Sequence, residues 1–333
     1  MASGVAGALI LDMSKIDSEK LVCTVDAAIR AARDSICDVV PDDWRVEVAA
    51  RTKIFEAARC ESNLNIFLFH QSVSGKYQTV NTVDIQGLDH SQFDYESLIR
   101  RNVATALWSN PGSRVILVTD SQFMAKGLDD PRVSIVRLSL ADGEPMFERV
   151  VSMLAYVESA AFSAPTIFLD SDAFLIRHCA GLFLNNFDVG VTYRDIGGQM
   201  PVNEGVIMAN TFDREAVHRF FRRYLATYLT LENHPFIVET YGNIRRWRGG
   251  QLSINATSGG WVRYAASVLE SDFGSRLAYL PCSRYNYSPS NESEISPAIL
   301  VRSLVLHLKG NRKPWLDRMV RVLGSQGFAE LIN

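Results

Sequence analysis

Pro165-Thr166-Ile167-Phe168-Leu169-Asp170-Ser171-Asp172 decides the fold. A short apolar strand stops abruptly at two carboxylates separated by one residue. Such a strand carries both acids out of the interior to the C-terminal edge of a sheet, where open α/β folds receive ligands. Carboxylates this close repel one another unless a cation lies between them, and hard divalent ions prefer oxygen ligands and phosphate. The spacing points to a metal–diphosphate site.

The flanking sequence supplies the rest of such a sheet. Residues 64–70, 114–119 and 133–138 read as strands, alternating with helices over 95–108 and 145–160, as a mainly parallel sheet requires. Further strands are expected over 188–193, 205–209 and 299–308. Helices are expected over 214–231, 260–269 and 315–323, with a polar loop after residue 231. His70, Asp120 and Asp170 each end a strand, which gathers polar groups at one sheet edge. Ahead of this unit, residues 18–33 and 44–58 have helical patterns. Residues 1–62 are therefore expected to form a helical N-terminal extension and residues 63–333 the α/β domain with its C-terminal helix. Two readings stay open for the extension: packing against the domain, or a surface for a homo-oligomer.

Composition narrows the partners. The chain has 333 residues, 47% hydrophobic and 21% charged, with a formal net charge of −3. Without a basic excess there is no electrostatic case for nucleic acid. The local cluster Arg245-Arg246-Trp247-Arg248 is expected to contact an anionic substrate or a neighbouring loop, and Trp247 and Trp261 to pack. Cys23, Cys37, Cys60, Cys179 and Cys282 are scattered and lack a CxxC pair, which fits a reducing compartment and no disulfide framework. No stretch reaches the roughly 18–20 apolar residues of a transmembrane helix. The expectation is a cytoplasmic protein able to visit a membrane peripherally.

A second signal lies far downstream in His307-Leu308-Lys309-Gly310-Asn311-Arg312-Lys313-Pro314-Trp315, after the apolar Leu304-Val305-Leu306. A histidine at a strand end can ligate Mn²⁺. Gly310 permits close backbone approach, and Lys313 offers a point charge for phosphate.

Acid pair and C-terminal motif together resemble the GT-A glycosyltransferases, specifically the retaining family 8 type, whose members carry a DxD after a hydrophobic strand and a later HxxGxxKPW. Between the two, Pro201 to Asn210 is similar to the family's FNxGVxxxN stretch, and Phe147-Glu148-Arg149 to its YxR arginine. The resemblance spans roughly residues 64–318. It implies a GT-A fold, an α/β Rossmann-like nucleotide-diphospho-sugar transferase architecture. It further implies transfer of a hexose from a nucleotide-diphosphate sugar, UDP-linked by expectation, to an acceptor hydroxyl on a glycan, lipid-linked or protein acceptor, with retention of configuration.

On that resemblance Asp170, Asp172 and His307 hold Mn²⁺ or Mg²⁺, Lys313 and Gly310 meet the β-phosphate, and Arg149 lies near the diphosphate or donor sugar. Asn203 and Gly205 face the transferred sugar. His70 and Gln71 fall where the nucleoside is received, by position only, since the family's acidic residue there is absent. Family members also carry an Asp-Gln pair; here it is Gly250-Gln251. Gln251 would line the reacting face, while Asp195 or Glu204 could supply the missing acid. Altered sugar preference, or a catalytically weak or inactive sugar-nucleotide-binding protein, are the other readings of Gly250. A haloacid-dehalogenase-type phosphatase also places Asp-x-Asp after a strand. It would want the motif near its domain start, with Thr or Val where Phe174 stands, and has no use for residues 307–315.

Overall fold

The structure is a computed structural model and describes residues 39–59, 61–72, 94–194, 201–245, 248–259, 268–270, 274–325 and 327. The helix expected over 18–33, most of that expected over 260–269, and Trp247 and Trp261 lie outside these.

In chain order the elements are α1 (Asp42–Glu56), β1 (Leu64–His70), α2 (Tyr95–Ser109), β2 (Ser113–Thr119), β3 (Val133–Arg137), α3 (Pro145–Glu158), β4 (Thr166–Leu169), β5 (Ala173–Leu175), β6 (Val189–Tyr193), β7 (Val202–Ala209), α4 (Arg214–Glu232), α5 (Pro235–Tyr241), α6 (Gly249–Ser258), β8 (Val268–Glu270), β9 (Arg276–Pro281), α7 (Cys282–Tyr285), α8 (Pro297–Arg302), β10 (Val305–His307) and α9 (Leu316–Gly324). Eight of the strands form one sheet in the order β3-β2-β1-β4-β7-β6-β9-β8, and β10 pairs with β5 in a second. β3, β2, β1 and β4 run parallel, β6 and β9 are parallel to each other, and β7 and β8 run against their neighbours.

The central strands are buried on both faces, which explains their unbroken apolar runs. Phe67, Phe69, Ile116, Val118 and Phe168 enter a core with α1, α3 and α4. Their alternates Ile66, Leu68, Val115, Leu117, Ile167 and Leu169 enter a core with α2 on the opposite face. Pro145 opens α3, whose residues from Phe147 to Val157 are all buried. α1 packs on it: Phe55 is fully buried, and Arg51 pairs with Glu148 Oε2 at 2.6 Å.

Three sequence expectations change. The expected 299–308 strand is a helix, α8, followed by the three-residue β10, because Pro297 at the first helical position starts a turn that buries Leu300. In the expected helix over 260–269, residues 268 and 269 belong instead to β8, antiparallel to β9. The polar loop after residue 231 contains α5, and Gly249 and Gly250 open helix α6.

Candidate active site

The acids leave the sheet where β4 ends. Asp170 N–H donates to the Gly205 carbonyl at 3.0 Å, and Ala173 N–H donates back to the Asp170 carbonyl at 3.0 Å, a tight turn around Ser171. Asn102, fully buried on α2, donates its amide to the Ser171 and Ala173 carbonyls at 2.9 and 3.1 Å. The chain then enters β5, whose pairing with β10 sets His307 opposite Ala173. Leu308 N–H donates to the Asp172 carbonyl at 2.9 Å. This short ladder brings together side chains 135 residues apart in sequence.

His307 Nε2 lies 3.1 Å from Asp172 Oδ1 and 3.7 Å from Asp170 Oδ2. One ligand atom from each of the three residues lies within 4.8 Å of the others. Proton bookkeeping fixes the imidazole. Gly205 N–H donates to Asn203 Oδ1 at 3.0 Å, so that atom is an acceptor. Asn286 Nδ2 donates to it, and to Thr192 Oγ1, both at 2.9 Å. Asn286 Oδ1 therefore faces His307 Nδ1 at 2.9 Å and takes its proton. Nε2 thus faces both carboxylates, and a cation held between them would take its lone pair, so one ion would join all three side chains. Two oxygens and one imidazole nitrogen suit Mn²⁺ or Mg²⁺, so the residues fit the expected ion.

Lys313 sits on a 3₁₀ turn, Gly310–Trp315, that Gly310 enters at φ +63°. Its Nζ is 2.7 Å from Asp172 Oδ2. Burial alone would raise the Asp172 carboxyl, yet Lys313 and His307 hold it below the usual carboxylate range. Burial works against the Lys313 ammonium, and Asp172 more than offsets it, so its pKa is raised.

Gly205 has no room for a side chain. A Cβ there would stand 2.7 Å from Asp170 Oδ2 and 2.9 Å from Asn203 Oδ1, and would strike His307 Cε1. Arg149 is buried and turns away from its sequence neighbour Glu148. Its Nη2 lies 3.1 Å from Asp170 Oδ1 and its Nη1 3.6 Å from Glu204 Oε2. Burial opposes this guanidinium's charge, but Asp170 and Glu204 stabilise it, and its pKa is raised. Burial pushes the Glu204 carboxyl up to about 7 against the pull of Arg149.

Solved structures similar to this chain include glycosyltransferases. A galactosyltransferase, LgtC, in complex with donor and acceptor sugar analogues, is 15% identical with a TM-score of 0.45, covering 80% of this chain and 95% of its own. A glycosyltransferase involved in the glycosylation of the major capsid of PBCV-1 is 12% identical (TM-score 0.41; 77% and 98% covered). The apo form of GlyE from Streptococcus pneumoniae TIGR4 is 12% identical (TM-score 0.43; 81% and 64% covered). No protein-family model and no curated protein matches the chain.

Gln251 lies beside Glu204: its Oε1 accepts from Glu204 N–H at 3.3 Å and its Nε2 donates to the Val202 carbonyl. His70 stacks on Tyr95 at 5.8 Å and meets Phe123 edge-on at 5.1 Å. Gln71 donates to the Ala141 carbonyl at 2.7 Å. Asp195 lies outside the described residues. Arg245, from the basic cluster, is a structural tie: it pairs with Glu232 and Glu144 and lies over the Phe147 ring at 4.2 Å. Sequence reading missed Asn102, Asn286 and Tyr224, single residues of ordinary type without a local pattern. No helix among the described residues is long and apolar enough to cross a membrane.

Proposed function

We propose that this chain is a metal-dependent GT-A glycosyltransferase that moves a hexose from a nucleotide-diphosphate sugar, UDP-linked in our reading, to an acceptor hydroxyl with retention of configuration. One observation carries the reading: Asp170, Asp172 and His307 converge on one point with the Lys313 ammonium beside them. Such a set recognises a diphosphate through a shared cation and a lysine.

A bound divalent ion would neutralise charge developing on the leaving diphosphate. Asp170, Asp172 and His307 would hold it, with Asn286 keeping the His307 Nδ1 proton away from it. Lys313 would meet the β-phosphate beside the Gly310 backbone. Arg149 would hold the sugar end of the donor, with Asn203 and Gly205 shaping the wall behind it. His70 and Gln71 would stand on the nucleoside side. Fixed charges placed where charge develops provide the rate enhancement. In the retaining course the leaving phosphate helps to deprotonate the incoming acceptor hydroxyl.

The test is a screen of nucleotide-sugars for hydrolysis or transfer, with Mn²⁺ and with chelator. Turnover that requires the metal and disappears in Asp172→Asn is expected; full turnover in chelator overturns the reading.

A further inference from the structure

Gly250, in the first turn of α6, lacks a side chain for a reason outside its own helix. A Cβ built there falls far inside contact distance of Glu204 Oε2, 3.0 Å from Glu204 Cδ and 3.1 Å from Tyr224 Oη. The Glu204 carboxylate fills the volume that a side chain at 250 would take.

The strand delivers it there deliberately in geometric terms. Pairing between β6 and β7 jumps from Thr192↔Asn203 to Val191↔Ile207, so residues 204–206 bulge. Bulges re-aim side chains near sites. Glu204 is then held from several sides. Arg149 Nη2 donates to its carbonyl at 3.0 Å, Gln251 Oε1 accepts its N–H, and Tyr224 Oη lies 3.3 Å from Oε2. Through Arg149 the carboxylate is one guanidinium away from the metal-ligand acid Asp170. Its side chain keeps 12% of its surface exposed, so the group is held in place without being sealed.

Resting on the glycosyltransferase reading, we propose that Glu204 is the acid that accepts hydroxyl groups of the donor hexose, and that Glu204 and Gly250 are a matched pair. The acid comes from β7, and the first turn of α6 is stripped to make room for it. A carboxylate offers two oxygens to neighbouring hydroxyls, a geometry suited to a vicinal diol.

The experiment compares wild type, Glu204→Gln, Gly250→Asp and the double variant Glu204→Ala/Gly250→Asp. Calorimetry in Mn²⁺ measures binding of UDP and GDP and of their glucose, galactose and mannose derivatives. In wild type the hexose should add affinity over the bare nucleotide. Glu204→Gln should bind the bare nucleotide as wild type does and lose about tenfold of the hexose increment. Gly250→Asp should lose the increment and melt lower, because two acids compete for one volume. The double variant should regain the increment to within a few-fold, a non-additivity expected of residues in contact. A full hexose increment in Glu204→Gln, or Gly250→Asp as well tolerated alone as in the double variant, overturns the pairing. Wild type that binds nucleotides without any hexose increment also overturns it. Wild type that binds none of these ligands overturns instead the glycosyltransferase reading beneath it.

Discussion

Lys313 Nζ and Asp172 Oδ2 form a buried ion pair at 2.7 Å, and the same carboxylate is a candidate metal ligand. The ammonium and a bound divalent cation would thus share one acid. Lys313→Met should leave Asp172 short of positive charge and destabilise the metal-free protein by about 3–5 kcal/mol. Mn²⁺ should then raise the melting temperature more than in wild type, while UDP binding weakens. A Mn²⁺ shift no larger than in wild type would sink this account.

Asn286 fixes the His307 tautomer from behind. Asn286→Ala should weaken Mn²⁺ binding by about 10–100-fold, the usual cost of losing a partner that orients a metal ligand. Titration calorimetry with Mn²⁺ alone reads this directly. An unchanged dissociation constant would show that the imidazole needs no such support.

Gly205 tolerates no Cβ between Asp170 and His307. Gly205→Ala should force these ligands apart and cost about 1–3 kcal/mol, the range for overpacking. Urea unfolding gives the stability, and loss of the Mn²⁺-induced melting shift reports the displaced ligands. Wild-type values in both would refute the crowding.

The first described helix belongs to the core. Phe55 on α1 is fully buried, in edge contact with Tyr156 at 5.6 Å. Phe55→Ala should cost about 3–5 kcal/mol. A loss below 1 kcal/mol in chemical denaturation would mean that α1 rests on the domain without supporting it.

Burial pushes the His70 imidazole down to about 4, against the opposing pull of Asp120. Between its ordinary value near 6.5 and about 4 the unfolded chain binds a proton that the folded one refuses. Stability therefore falls as pH drops through that window, by at most about 3 kcal/mol, and is fully present above it. Melting temperatures from pH 7 to 5 should decline more gently in His70→Phe, which keeps a ring against Tyr95 and Phe123. Parallel declines would assign the loss to other groups.

Much of this was legible in the chain. The strands 64–70, 114–119 and 166–169 announced themselves because both faces are buried, leaving 66–69, 115–118 and 167–169 wholly apolar up to the edge. Asp170, Asp172, His307 and Lys313 could be read because each sits in a motif of fixed spacing. The α6 helix was hidden by its opening: Arg248 at φ +61° and two glycines look like a loop, and no side chain caps it. The apolar run after Pro297 was divided by Ser303, which ends α8 before β10 begins. Asn102 and Asn286 act only through long-range hydrogen bonds, which no local window of sequence contains. At Gly250 the sequence leaves Asp195 and Glu204 both open as the substituting acid; that the Glu204 carboxylate occupies the space beside Gly250 becomes visible only in three dimensions.

The β5–β10 ladder makes the site a product of the order of synthesis. Asp170 and Asp172 leave the ribosome well over a hundred residues before His307, and the sheet strand that carries them needs nothing from β10. A nascent chain that has made β1 to β9 would therefore carry the acid pair and still lack His307 and Lys313. At about 5–20 residues per second that interval lasts on the order of ten seconds. Only after residue 313 has cleared the ribosome can Asp170, Asp172, His307 and Lys313 meet, so a chain interrupted earlier would lack the full set.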